Sequence, residues 1–256
     1  MQLHHKKYGA GSPLIILHGL FGSLDNWHTL ANRFAEDNEV YAIDQRNHGK
    51  SPHAEQHDYP SMAEDLNNFM DENNLNQANI IGHSMGGKTA MFFALYYPEK
   101  VKNLVVVDMG PGKYEAGHDE ILDALQNFPI EKISSRKEAD KILSDMVDNF
   151  GIRQFLLKNL DRDGQSGYRW KMNLSVLIRD YENILEEVPQ GKVFDNPALF
   201  LKGEKSNYIR FSDENEIKKQ FPKAALQEIK GAGHWIHAEA PDEFYKSVNE
   251  FLISNK

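Results

Sequence analysis

Cysteine is absent from the 256 residues of this sequence. Disulfide bonds, thiolate metal sites and cysteine nucleophiles are therefore excluded. A long apolar run is also missing, because no stretch approaches the roughly 20 residues that a membrane-spanning helix needs. The opening residues MQLHHKKYG lack the apolar segment of a secretory signal, so we expect a soluble, cytoplasmic protein with no membrane partner.

Positive charge is scarce as well. Lys and Arg number 29 against 38 Asp and Glu, which gives a formal net charge of −9 at pH 7. This excess of negative charge opposes binding to phosphate backbones and anionic lipids. The histidines show neither H-E-x-x-H nor another ligand pattern. We therefore expect no nucleic-acid partner, no metal and no other cofactor.

Short apolar runs alternate along the chain with longer amphipathic ones. The sequence predicts strands at residues 3–8, 14–17, 39–43, 79–81, 104–107, 198–201 and 226–229. Most are continuously apolar, which is typical of strands buried on both faces of a parallel sheet. Ser61 and Glu64 form a capping box that predicts a helix to about Asn73, and Pro241 is placed to begin a terminal helix. The alternation predicts an α/β fold with a mostly parallel, doubly wound sheet.

The alternation is interrupted between residues 113 and 192, where helix patterns dominate and no convincing strand appears. Ser135 and Glu138 form a second capping box, and apolar residues recur at helical spacing. We predict a core formed by residues 1–112 and 193–256, with an inserted helical cap at 113–192. The alternative is that these helices simply pack beside the sheet.

Ser84 stands between two glycines in Gly82-His83-Ser84-Met85-Gly86, directly after a predicted strand and before a helix. A G-x-S-x-G nucleophile elbow needs this order of strand, turn and helix. The turn lifts the serine hydroxyl clear of the sheet, and the glycines avoid collisions with the strained backbone. The alternatives are a glycine-rich turn that only packs, or a phosphate loop. Neither G-x-G-x-x-G nor a Walker pattern is present to support the latter.

A second glycine-rich turn, His18-Gly19-Leu20-Phe21-Gly22, follows another predicted strand. Acyl transfer develops an oxyanion, and each fixed N–H donor aimed at it is worth roughly 3 kcal/mol. We expect the N–H groups of Leu20 and Met85 to be those donors. A plain turn is the alternative. We expect His18 to brace the loop rather than to titrate in catalysis.

His234 lies in the segment Gly231-Ala232-Gly233-His234, after the last predicted strand. A serine hydroxyl becomes a good nucleophile only when a base takes its proton, and imidazole is suited to that near neutral pH. The position of His234 agrees with the chain order nucleophile, acid, histidine. We expect Trp235, His237 and Glu239 to shape this loop.

These motifs together resemble the α/β-hydrolases over nearly the whole chain. With the stretch DQRNHGKS at residues 44–51, they resemble the small bacterial carboxylesterases of the YbfF type and their mitochondrial relatives. The resemblance implies an α/β-hydrolase fold with an inserted cap. Asp44 and Arg46 in this stretch lie at the end of a predicted strand, where they could pair across the edge of the core, and we expect them to be scaffold and not catalytic residues.

The acid that supports the histidine is less evident. Most α/β-hydrolases carry it after the strand that here ends near Leu201, yet this chain has Asn207 there, and an amide does not neutralise imidazolium. Asp108 follows the preceding buried strand, at the sheet edge where α/β sites assemble. Esterases of the YbfF type are similar in placing the acid there. We predict Asp108, with Glu204 and then Asp213 as alternatives and a local turn cap as the non-catalytic role of Asp108.

The resulting hypothesis is a serine carboxylesterase. Ser84 would attack small or medium acyl esters, with thioesters as a second class, and form an acyl-enzyme. One alternative is an α/β-hydrolase-fold lyase or carbon–carbon hydrolase that uses the same residues. Another is a small-molecule receptor with a slow hydrolase site.

Overall fold

A seven-stranded sheet forms the centre of the computed structural model, which describes residues 1–164 and 167–256. Its strands are β1 (His5–Tyr8), β2 (Ser12–Leu17), β3 (Asn38–Ile43), β4 (Ala78–His83), β5 (Val101–Val107), β8 (Ala198–Gly203) and β9 (Ala224–Ile229). Each of the seven predicted strands corresponds to one of them. A separate antiparallel pair consists of β6 (Leu160–Asp163) and β7 (Gly167–Trp170).

The order of the sheet is β1-β3-β2-β4-β5-β8-β9. All neighbouring pairs are parallel except β1 with β3. The central strands β4 and β5 are buried on both faces, whereas each of the edge strands β1 and β9 has two exposed residues. The α/β-hydrolase fold with its mostly parallel sheet is thus confirmed.

Helices cover both faces of the sheet. The helices are α1 (His28–Phe34), α2 (Tyr59–Glu72), α3 (Met85–Tyr96), α4 (Asp119–Gln126), α5 (Arg136–Leu143), α6 (Phe150–Leu157), α7 (Leu174–Arg179), α8 (Tyr181–Leu185), α9 (Glu214–Gln220), α10 (Ile236–Glu239) and α11 (Pro241–Ser254). Helices α2, α3 and α9 bury their apolar sides in one layer of the core, and α1 and α11 in the other. In the part of the chain that the structure describes, no helix combines the length and apolar character needed to cross a membrane.

The predicted helix starts have different outcomes. Ser135 caps α5 by accepting from Glu138 N–H, and Pro241 begins α11, so both are confirmed. The start of α2 is wrong: Asp58 is the cap, and its carboxylate accepts from Ser61 N–H at 2.8 Å. Pro60 in the first turn fixes this earlier start, because proline is suited to a position whose N–H has no intrahelical partner.

Helices α4 to α8 and the pair β6–β7 lie between β5 and β8, within the predicted cap. The expectation that this region has no strand is wrong. The hairpin is short and half exposed, so it has no apolar run to mark it. Residues 165 and 166 of the predicted cap lie outside the described residues. The division into a core at 1–112 and 193–256 and a cap at 113–192 stays a proposal.

The strand order places the predicted motifs together. The chain leaves β2 for β3 on one side and returns to β4 on the other, so that Leu17 of β2 pairs with Gly82 of β4. His83 of β4 in turn pairs with Val107 of β5. The loops after β2, β4 and β5 therefore meet at one sheet edge, the switch point where α/β proteins bind ligands.

Candidate active site

Ser84 occupies the sharp turn between β4 and α3. Its backbone has φ 53° and ψ −119°, a left-handed conformation that costs a non-glycine residue of the order of 1–3 kcal/mol. A Cβ added to Gly82 would lie 2.2 Å from Gly86 O, and one added to Gly86 would lie 2.5 Å from Leu17 O. The two glycines are thus required for the turn to approach β2 and to hold this conformation.

Asp108 and His234 are in direct contact. The Nδ1 atom of His234 lies 2.7 Å from Asp108 Oδ2, and because a carboxylate only accepts, Nδ1 carries the proton. Asp108 is fully buried with φ 50°, which turns its side chain towards the loop after β9. Its carboxylate also accepts from Gly203 N–H at 3.0 Å and from the Ser206 hydroxyl. These donors stabilise the buried negative charge.

The alternative acids are elsewhere. Glu204 is exposed and accepts from Gly231 N–H at 2.7 Å, so it holds the base of the His234 loop without contacting the ring. Asp213 accepts from Arg210 N–H at 2.8 Å and ends a short 3-10 turn. Asn207 is exposed. Among the carboxylates of the described residues, Asp108 alone is hydrogen-bonded to His234.

The His234 ring is fixed on two further sides. The Tyr208 ring stacks against it with centroids 4.0 Å apart and planes 21° apart. Burial, with the neighbouring His237 and His234, lowers the pKa of His83 well below its usual value. The neutral His83 ring donates from Nε2 to His234 O at 2.8 Å. The sequence analysis missed His83, Tyr208 and Ser206. His83 and Ser206 adjoin Ser84 and Asn207, but only the fold shows what they contact.

The backbone N–H groups of Leu20 and Met85 are the predicted oxyanion donors. In the described part of the chain, neither N–H donates a hydrogen bond to the protein. Met85 is the first residue of α3, where the helix dipole favours negative charge. A Cβ on Gly19 would lie 3.2 Å from Ser84 Cβ, so the loop carrying Leu20 passes directly beside the serine.

Two buried histidines hold the Leu20 loop. Burial lowers the pKa of His18 to about 4 and that of His48 to about 3, so both rings are neutral at pH 7. His18 Nε2 accepts from Gln45 N–H at 3.0 Å, in agreement with its predicted bracing role. His48 Nε2 accepts from Phe21 N–H at 3.2 Å, next to Leu20. The role of His48 was missed.

A residue of the predicted cap region supports the same loop, because Asn159 Nδ2 donates to Phe21 O at 2.7 Å. Sequence offered no signal for Asn159, which lies between α6 and β6. The pairing that the sequence allows between Asp44 and Arg46 is not the one observed. Arg46 Nε donates to Asp65 of α2 at 2.6 Å, and Asp44 instead accepts from Leu24 N–H and Lys50 N–H.

Ser84, His234 and Leu20 line one cavity of about 210 Å³. Ser84 is 8% exposed and the His234 side chain 15% exposed, so both are accessible from this cavity but largely screened from water. Within residues 1–164 and 167–256, no group of three His, Cys, Asp or Glu side chains is arranged to hold a metal ion. The side chains of Ser84, His234 and Asp108 supply a hydroxyl, an imidazole and a carboxylate, the groups used in nucleophilic and acid–base chemistry.

A family model described as the alpha/beta hydrolase fold matches residues 12–241. The chain belongs to this family and is a hydrolase of the esterase and lipase type.

Three similar proteins show which members of this family the chain resembles. It is 37% identical over 244 residues to esterase YbfF of Escherichia coli, covering 94% of this chain and 93% of that protein. It is 40% identical over 247 residues to the sn-1-specific diacylglycerol lipase ABHD11 of Mus musculus, covering 93% of this chain and 80% of that one. A solved structure, a marine microorganism esterase, is 47% identical with a TM-score of 0.95 and covers 98% of this chain and 99% of its own. The resemblance to the YbfF-type esterases is confirmed.

Proposed function

We propose that this protein is a serine carboxylesterase that cleaves acyl esters through an acyl-enzyme on Ser84. The observation that carries the proposal is the 2.7 Å hydrogen bond between His234 Nδ1 and the buried Asp108. Because Nδ1 holds the proton, Nε2 is left free to accept one. A histidine in this tautomer, facing the same cavity as an elbow serine, is the arrangement that activates a hydroxyl.

Acylation would proceed as follows. His234 Nε2 removes the Ser84 proton while the hydroxyl oxygen attacks the ester carbonyl. The N–H groups of Leu20 and Met85 hold the resulting oxyanion, a term worth roughly 3 kcal/mol for each donor. Asp108 stabilises the imidazolium that forms, and its lack of exposure strengthens this interaction. The imidazolium then protonates the leaving alcohol.

Deacylation repeats these steps with water in place of the serine. His234 takes a proton from water while the water oxygen attacks the carbonyl of the acyl-enzyme. The bond between Ser84 Oγ and the acyl carbon then breaks, the acid is released, and the imidazolium returns its proton to Ser84. Thioesters present the same carbonyl chemistry and form the second proposed substrate class. The mechanism requires no cofactor. The cytoplasmic location and the lack of a nucleic-acid or membrane partner stay predictions.

The names of the relatives agree with acyl ester cleavage. Two are called esterases and one a diacylglycerol lipase. Each is similar to this chain over at least 80% of its own length. We carry over the acyl ester as the substrate class and not the diacylglycerol named for the mouse protein.

The proposal is tested by p-nitrophenyl butyrate hydrolysis in the wild type, Ser84→Ala and Ser144→Ala. Ser144 is exposed on the cap and serves as the matched control. We expect Ser84→Ala to lower kcat by about 10⁴-fold or more and Ser144→Ala to leave it unchanged. Slow or no turnover by the folded wild type would contradict the proposal and favour the lyase, the carbon–carbon hydrolase or the receptor.

A further inference from the structure

Two cavities of unequal size border Ser84. The larger, which we call the wide cleft, has a volume of about 210 Å³. Its distinctive lining is Asn26, Trp27, Ile152, Phe155, His234 and Trp235. The smaller, which we call the narrow pocket, has a volume of about 40 Å³. Its distinctive lining is Tyr59, Met85, Met109, Ile184 and Leu185. Ser84 lies between the two and lines both.

The direction of proton transfer distinguishes the two cavities. When the tetrahedral intermediate collapses, the imidazolium of His234 must protonate the oxygen of the leaving alcohol, so that oxygen must lie within hydrogen-bond reach of the ring. His234 lines the wide cleft and, among the described residues, is not part of the narrow pocket. The alcohol therefore leaves through the wide cleft. The acyl chain extends to the other side of the carbonyl.

We propose that the narrow pocket binds the acyl chain and limits it to short, uncharged groups up to butyryl, while the wide cleft binds a larger alcohol portion. This assignment rests on the proposed esterase function. A cavity of about 150 Å³ holds benzene, and one of 10–15 Å³ holds a single water. By that scale the 40 Å³ of the narrow pocket holds about two or three carbon atoms beyond the carbonyl.

The walls of the narrow pocket are tied to the core. The Tyr59 hydroxyl donates to Ile184 O at 2.7 Å. The buried Lys88 Nζ donates to Gly112 O, just before the predicted cap, and to Glu186 O within it, each at 2.5 Å. These bonds hold the segment that carries Ile184 and Leu185 in place beside the narrow pocket. A longer acyl chain would have to break them or displace a buried side chain.

The lining of the narrow pocket also favours an uncharged chain. The residues that line it are mainly apolar or aromatic, and Ile184 and Leu185 are each only 7% exposed. In the part of the chain that the structure describes, no Lys or Arg lines it, and Glu115 is its one carboxylate. A carboxylate on the acyl chain would thus meet no positive partner there.

Two series of esters test the assignment. In the first, p-nitrophenyl acetate, butyrate and octanoate vary only the acyl chain. We expect kcat/KM to fall by about ten-fold or more from butyrate to octanoate, although each added methylene would favour binding in an open pocket. In the second, phenyl acetate and 2-naphthyl acetate vary the alcohol. We expect kcat/KM for the naphthyl ester to equal or exceed that for the phenyl ester.

Variants on each side provide matched controls. Leu185→Ala should raise the ratio of octanoate to butyrate kcat/KM by about ten-fold. Phe155→Ala, in the wide cleft, should leave that ratio unchanged and alter the ratio of naphthyl to phenyl acetate. If Leu185→Ala does not fold, the series of p-nitrophenyl esters measured on the wild type still tests the assignment of the narrow pocket.

The outcomes separate this inference from the proposed function. A kcat/KM for p-nitrophenyl octanoate that equals or exceeds that for the butyrate would overturn the pocket assignment and leave the esterase proposal intact. A Phe155→Ala variant that changes the acyl ratio would also overturn it. A folded protein that hydrolyses none of these esters would overturn the proposed function and the assignment together.

Discussion

Replacing Asp108 with asparagine changes the hydrogen bonding of His234 while keeping the size of the side chain. Asparagine tolerates the φ of 50° found at this position, so we expect the fold to be retained. The amide oxygen can still accept from Gly203 N–H, which lies 3.0 Å from Oδ1. The amide nitrogen then replaces Oδ2, which lies 2.7 Å from His234 Nδ1.

That nitrogen is a donor, and this determines the magnitude of the effect. To accept from it, His234 must release its Nδ1 proton and carry the proton on Nε2 instead, where the ring no longer accepts from Ser84. The same change in a serine-protease triad lowers kcat by about 10⁴-fold. Each ten-fold step corresponds to about 1.4 kcal/mol, so the expected loss in transition-state stabilisation is about 5–6 kcal/mol.

The assay is kcat for p-nitrophenyl butyrate, with Glu204→Gln as the matched control. Glutamine at 204 can still accept from Gly231 N–H, so we expect its kcat to stay within about three-fold of wild type. A larger loss for Glu204→Gln than for Asp108→Asn would refute the reasoning and move the acid to Glu204. Urea unfolding of both variants checks that the fold is retained.

Other variants test the supporting structure through urea midpoints. Gly86→Ala would place a Cβ 2.5 Å from Leu17 O and should lower the free energy of unfolding by about 1–3 kcal/mol. Gly112→Ala, which has nothing within 4 Å, should change it little, and equal losses would contradict the steric argument. Lys88→Met leaves Gly112 O and Glu186 O without their donor and should destabilise the protein by about 2 kcal/mol or more. An unchanged midpoint would contradict a stabilising role for these two hydrogen bonds. Burial lowers the pKa of His57 to about 3. As the pH falls below about 6.5, His57 is therefore protonated in the unfolded chain but stays neutral in the folded one. The protonation of His57 therefore leaves the free energy of unfolding unchanged above about pH 6.5 and lowers it by about 1.4 kcal/mol for each pH unit below that value. His57→Leu should make the free energy of unfolding less dependent on pH between 6 and 5, and an unchanged slope would contradict this.

The sheet and the elbow could be predicted because local sequence determines them. Strands buried on both faces must be apolar throughout. Residues 82 and 86 must be glycine, because a Cβ added at either position would lie within 2.5 Å of a backbone oxygen. The start of α2 was mispredicted because Asp58 and Ser61 are both good caps three residues apart. The hairpin β6–β7 was missed because each strand has only four residues and mixes buried with exposed positions, so neither forms an apolar run.

Hydrogen-bond and ion-pair partners that are distant in the sequence were the hardest features to predict. Sequence placed Asp108 and Glu204 at the ends of neighbouring strands, and both are hydrogen-bonded to the loop that carries His234. The two carboxylates differ in burial and in the direction of the side chain. Asp108 has a left-handed backbone conformation and is buried, whereas Glu204 faces solvent. The pairing of Arg46 with Asp65 depends likewise on the packing of α2 against the sheet, which no local pattern encodes.

Labelling with a fluorophosphonate, followed by mass spectrometry of the peptides, tests the central claim most directly. The reagent forms a stable bond only with a serine that a neighbouring base activates. We predict a single adduct, on the peptide that contains Ser84, and none in Ser84→Ala. An adduct on a different residue, or ester hydrolysis by a folded sample that takes up no label, would contradict the acyl-enzyme on Ser84.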